Sequence, residues 1–152
     1  MTSDIGDVVD ENDNCSTTIN ASYIDDVSGL TGCNNTGTFT RTWTLTDDCG
    51  NSLVQVQTVT VADTLAPTFD VPNDTTVYLN LTCQMDTTTT DIGTVTSAAD
   101  ACSATLSITY TDDVSGLTGC NNTGTFTRTW TVTDDCGNSL SLIHISEPTR
   151  PY

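Results

Sequence analysis

Apolar and polar residues alternate with a period of two along much of this chain. In "TTVYLNLTC", Val77, Leu79, Leu81 and Cys83 fall on one face and Thr76, Tyr78, Asn80 and Thr82 on the other. In "ATLSITYT", Ala104, Leu106, Ile108 and Tyr110 alternate with Thr105, Ser107, Thr109 and Thr111. In "TFTRTWTVT", Phe126, Arg128, Trp130 and Val132 share the face opposite a threonine row. This period predicts strands with one face buried. Threonine is β-branched, so it suits a pleated surface while keeping that surface hydrated. No stretch carries a 3.6-residue period, and clusters of Gly, Asn and Asp fall between the strands as turns. In "LVQVQTVTV" the apolar parity shifts between Val56 and Val59, which predicts a bulge or a strand buried on both faces. The pattern predicts an all-β chain.

The strands recur as a block. Asp25–Leu53 returns as Asp112–Leu140 with one change, Leu45 to Val132, at an offset of 87 residues. The same offset aligns Cys15 with Cys102 and "TSDIG" at 2–6 with "TTDIG" at 89–93. A unit of that length, built of short strands and turns, fits tandem immunoglobulin-like β-sandwiches. The expected division is 1–63, the C-terminal part of a first repeat; 64–140, a second repeat lacking its last native strand; and 141–152, a tail. The repeat fails after Leu140, where "LSLIHISEPTR" reads as the in-frame translation of a sequencing adaptor. Residues 141–152 therefore carry no functional signal, and "SLIHI" is expected to extend as a strand in the last-strand slot.

Charge narrows the classes. The 152 residues hold 20 acidic and 3 basic side chains, for a net charge of −17. Setting the tail aside leaves Arg41 and Arg128 as the basic residues, one at the same place in each repeat. Such a surface repels phosphate backbones and anionic membranes, so neither nucleic acid nor membrane insertion is expected. No apolar run reaches the ~20 residues of a membrane helix.

A complete unit carries Cys83, Cys102, Cys120 and Cys136, and the first unit carries Cys15, Cys33 and Cys49. Cys120 and Cys136 flank one strand, roughly 30 Å apart at ~3.3 Å per residue, beyond disulfide reach. Antiparallel neighbours set the start of one strand beside the end of another. That predicts disulfides Cys102–Cys136 and Cys83–Cys120, with Cys15–Cys49 in the first unit and Cys33 unpaired. A cysteine metal site lacks a CxxC pair to support it. Disulfides imply an oxidising, extracytoplasmic setting.

"TFTRTWTVTDDCGNS" and "VQVQTVTVADTLAPTF" together resemble the hyalin-repeat-like modules of large secreted bacterial surface proteins. The matching parts are the strand at Arg128–Trp130, the turn at Asp134–Asn138, the closing strand at Gln57–Val61 and the junction at Asp63–Pro67. The resemblance implies an immunoglobulin-like sandwich in tandem array, at the cell surface or secreted, serving adhesion or spacing. It implies no catalytic residues. Neighbouring repeats of the same chain are the expected partners, with a cell-surface or glycan ligand beside them.

Arg41 and Arg128 sit two residues before Trp43 and Trp130 on the inward face. They are expected to be structural, stacked on tryptophan and paired with an aspartate, rather than a ligand-binding patch. Calcium is the one cofactor that the acidic residues suit. Asp112, Asp113, Asp134 and Asp135, with Asp63 at the junction, offer the oxygen ligands it prefers, although EF-hand spacing is absent. Catalysis is not expected, because the serines have no base to activate them once the tail is set aside. The function expected is a non-catalytic spacer or adhesive stalk. The alternative is a carbohydrate- or protein-binding module of a secreted enzyme.

Overall fold

A computed structural model describes residues 13–82, 84–85, 88–120 and 122–149, with the backbone alone at 90, 91, 148 and 149. The described chain is nearly all β, and it divides into two compact units, Met1–Ala62 and Asp63–Tyr152.

In the first unit, β1 (Ile19–Asp26), β2 (Gly37–Asp47) and β3 (Ser52–Val61) form one antiparallel sheet in that order. The alternation of β2 puts Phe39, Arg41 and Trp43 on the buried face, with threonines between them. The shift of parity in β3 has a different cause from the two expected. Its register against β2 runs without a bulge, from Gly37↔Val61 to Thr46↔Ser52. Nor is it buried on both faces, since Val54 and Val56 are exposed. Instead, Gln57 sits opposite Arg41 and its Oε1 accepts the Trp43 Nε1–H at 3.0 Å. A polar residue holds an inward position because a buried indole N–H needs an acceptor.

The second unit holds two sheets. A four-stranded sheet has the order β5 (Thr75–Tyr78), β9 (Ser139–Thr149), β8 (Phe126–Thr133), β7 (Ser107–Asp113), with β5 and β9 parallel. A two-stranded sheet pairs β4 (Thr68–Asp70) with β6 (Thr96–Ala99). One four-residue helix, α1 (Thr89–Ile92), ends on Gly93. The inward face expected of β8 is the buried one: Phe126, Arg128, Trp130 and Val132 are all 2% exposed or less. Phe69 of β4 and Val95 pack on Trp130 and Val132, with Leu106, Leu140 and Leu142 around them. Val77, Ile92 and Phe126 make a second cluster. Burying side chains of this size contributes about 1.5–3 kcal/mol each.

Two sequence expectations fail locally. The strand expected to run to Cys83 stops at Tyr78, because Asn80 Oδ1 accepts the N–H groups of Thr82 and Gln84 and turns the chain outward, leaving Leu81 fully exposed. Ile108 and Tyr110 are exposed, because β7 is an edge strand. The "SLIHI" segment does extend as a strand, within β9.

Each unit also carries a loop locked by glycines. Gly37 has φ +139°, and a Cβ on it would lie 2.3 Å from the Gly29 carbonyl oxygen. Gly124 and Gly116 repeat this contact, at φ +144° and 2.2 Å. Only glycine permits so close an approach at such a φ.

Candidate functional site

The two arginines lie at the centre of the same polar cluster in each unit. Arg128 Nε and Nη2 donate to Asp112 Oδ1 and Oδ2 at 2.7 and 2.8 Å, and Arg41 makes the same fork to Asp25. The sheet register places each pair directly opposite, Asp112↔Arg128 and Asp25↔Arg41. The Arg128 guanidinium carbon lies 3.9 Å from the Tyr110 ring centroid and 5.6 Å from that of Trp130. Stacking is therefore closest on tyrosine, with tryptophan behind it. The Asp25 side-chain bond raises the Arg41 pKa, and the same bond holds Asp25 below its ordinary value. A fork so engaged, and a guanidinium so buried, has no face left for a ligand.

Aspartate followed two residues later by cysteine occurs four times, and each time it builds the same turn. Asp13, Asp47, Asp100 and Asp134 each accept the backbone N–H of Cys15, Cys49, Cys102 and Cys136 on Oδ1, at 2.8–2.9 Å. Asn138 completes the turn at Asp134, donating its backbone N–H to Oδ1 and its amide to Oδ2. Burial raises the Asp134 pKa, but the Asn138 bonds and those of Cys136 and Gly137 outweigh it and leave the pKa lowered.

These turns bring Asp63, Asp100 and Asp134 together, with carboxylate oxygens within 4.8 Å of one another. Asp134 is buried, and Asp63 Oδ2 is buried with no hydrogen-bond partner among the described residues. The Asn138 amide also donates to the Asp63 carbonyl at 3.2 Å, which fixes the junction against the turn. The charges of Asp63 foremost, then burial, then Asp100 and Asp134 raise the Cys102 thiol pKa. Three clustered carboxylates with one orphaned oxygen have the donor chemistry of a calcium site.

Of the five aspartates expected to serve calcium, only Asp63 and Asp134 join this cluster. Asp112 is committed to Arg128. Asp113 turns back to the Ser115 N–H, and Asp135 meets the Ser103 hydroxyl. Adjacent aspartates at a strand end point apart, so each doublet contributes one member at most. Asp100 was missed by the sequence reading. The signal that finds it is its place two residues before Cys102, shared with Asp134.

The cysteines depart from the expected pairing. Cys15, Cys49, Cys102 and Cys120 are free thiols, whereas Cys33 and Cys136 are both disulfide-bonded. Cys15–Cys49, Cys102–Cys136 and Cys83–Cys120 are therefore not formed, and Cys33 is not unpaired. Cys83 itself lies outside the described residues. The expected strand ends do meet: the Ser16 hydroxyl contacts Asp48, and the Ser103 hydroxyl contacts Asp135. At both places a serine hydroxyl and an aspartate make the link.

The repeat, the Arg-x-Trp strand and the Asp-x-Cys turns point to one kind of module. Residues 5–61 match the family model of the HYR-like domain with 4 cysteines. The matched span contains Cys15, Cys33 and Cys49, and its stretch from Asp25 to Leu53 recurs at Asp112–Leu140. No curated protein matches the chain.

Proposed function

We propose that this chain is a non-catalytic extracellular structural repeat, a spacer or adhesive stalk of a larger cell-surface or secreted protein. The observation that carries this reading is the identical use of polar side chains in both units. Arg41–Asp25 and Arg128–Asp112 make the same two bonds under the same tyrosine and tryptophan. Chemistry duplicated and consumed in holding a fold suits a module whose work is length. HYR-like domains are extracellular repeat modules, which supports the location, and among the described residues no helix is long and apolar enough to cross a membrane.

In this reading, calcium at Asp63, Asp100 and Asp134 stiffens the junction at the start of the second unit. It supplies charge neutralisation there, and the residues holding it are those whose oxygens already converge. The test is to concatenate whole repeats and measure contour length by small-angle scattering and single-molecule extension, beside binding to a glycan array. Length rising linearly with copy number, with no glycan bound, supports the spacer. Saturable binding to a defined glycan by a single repeat overturns it in favour of a carbohydrate-binding module.

A further inference from the structure

The two units share sequence but not surroundings. In the second, Leu106, Val132 and Leu140 pack with Phe69, while Asn138 holds the carbonyl of Asp63. Their counterparts one repeat earlier are Ile19, Leu45, Leu53 and Asn51. Those four residues, with Asp13 and Asp47, line an open hollow of about 240 Å³ in the first unit. Asp13 and Asp47 correspond to Asp100 and Asp134, the neighbours of Asp63. The hollow thus corresponds in position to the seat that Asp63 and Phe69 fill, with Ile19 for Leu106 and Leu45 for Val132. Its apolar wall is wet: Leu53 is 56% exposed, although the register Leu45↔Leu53 places it beside Leu45 as Leu140 lies beside Val132. Asn51 donates its amide to Asp47 Oδ2, as Asn138 does to Asp134, and is exposed where Asn138 is half-buried.

We propose that this hollow is a receptor site for an extended junction segment of the Asp63–Phe69 type, supplied by the repeat array itself. Its polar end takes the aspartate, whose carbonyl oxygen receives the Asn51 amide. Its apolar end takes an aromatic side chain at the spacing of Phe69, against Ile19, Leu45 and Leu53. The junction then has two duties: it joins units, and it closes the core of the unit it leads into. This goes beyond the spacer reading, which stands or falls on other measurements.

The test extends the full chain by a copy of Asp63–Thr88 placed ahead of Thr2 in place of Met1, so that the repeat period is kept. Seating predicts ring-current shifts at the Leu45 and Leu53 methyl groups and slower amide exchange in β2 and β3, by about tenfold or more. Replacing the copied phenylalanine with alanine in the extension abolishes both. Signals of Trp130 and Leu140 report in the same sample that the chain is folded. Leu45 and Leu53 signals that do not move in the extended chain, or that move equally with the alanine extension, overturn the proposal.

Discussion

Arg128 and Asp112 face each other across β8 and β7 and share two hydrogen bonds, with the guanidinium 0% exposed. Removing the cation leaves a carboxylate beside the Tyr110 and Trp130 rings without its partner. Arg128→Met fills similar volume, so the measured loss belongs to the charge pair. Urea unfolding is expected to show a cost of about 2–4 kcal/mol in the second unit. Arg128→Lys retains the charge but not the fork, and recovers less than half of it. A methionine variant as stable as the parent would show that the pair holds nothing together.

Acid should loosen both units through their Asp-x-Cys turns. The pKa values of Asp47 and Asp134 are lowered in the folded chain, that of Asp47 chiefly by the Asn51 side chain. A carboxylate with a depressed folded pKa adds stability above its unfolded value of about 3.9. That contribution is lost as pH falls through the lower folded value. The melting temperature should therefore fall below about pH 4, and less steeply in Asp47→Asn and Asp134→Asn chains. A pH profile unaltered by both substitutions would remove the turns from the explanation.

Calcium should raise the melting temperature of the second unit through Asp63, Asp100 and Asp134. Millimolar calcium against chelator is the comparison, with Asp63→Asn as the variant, because its buried Oδ2 has no donor among the described residues. The expected result is a rise in the parent chain and none in the variant. An equal rise in both would place the effect elsewhere on the acidic surface.

Trp130 differs from Trp43 in one respect that a single substitution can test. Trp43 gives its indole N–H to Gln57, but Trp130 Nε1 is buried with no acceptor among the described residues, and the residue at the Gln57 position is His144. His144→Gln should supply that acceptor, a bond worth about 1 kcal/mol. The loss of the His144–Asn73 carbonyl contact at 2.9 Å sets a limit on the net gain. Exchange of the indole proton should slow, and an unchanged exchange rate would count against the assignment.

The face of β8 was legible because strict alternation leaves one way to bury Phe126, Arg128, Trp130 and Val132 together. Arg128 could be paired with an aspartate in advance for the same reason: a cation on that face must find a carboxylate. Gln57 was not legible, because its partner is an indole on the neighbouring strand, and an alternating pattern registers only polarity. Asp100 was hidden among so many aspartates, and only the turn that it shares with Asp134 distinguishes it. The cysteines divide along the same line. Which loops approach follows from strand direction, but which atoms join them depends on local turns that the spacing does not encode.

The glycine-locked loops work by a different rule from the rest of each unit. Main-chain bonds close them, from Gly32 N–H to the Thr36 carbonyl at 2.8 Å and from Gly119 N–H to that of Thr123 at 2.8 Å. Nothing in those bonds titrates, chelates or oxidises. Protonation of the carboxylate turns at one end of β2 and β8 therefore leaves the main-chain bonds of these loops, at the other end, unchanged.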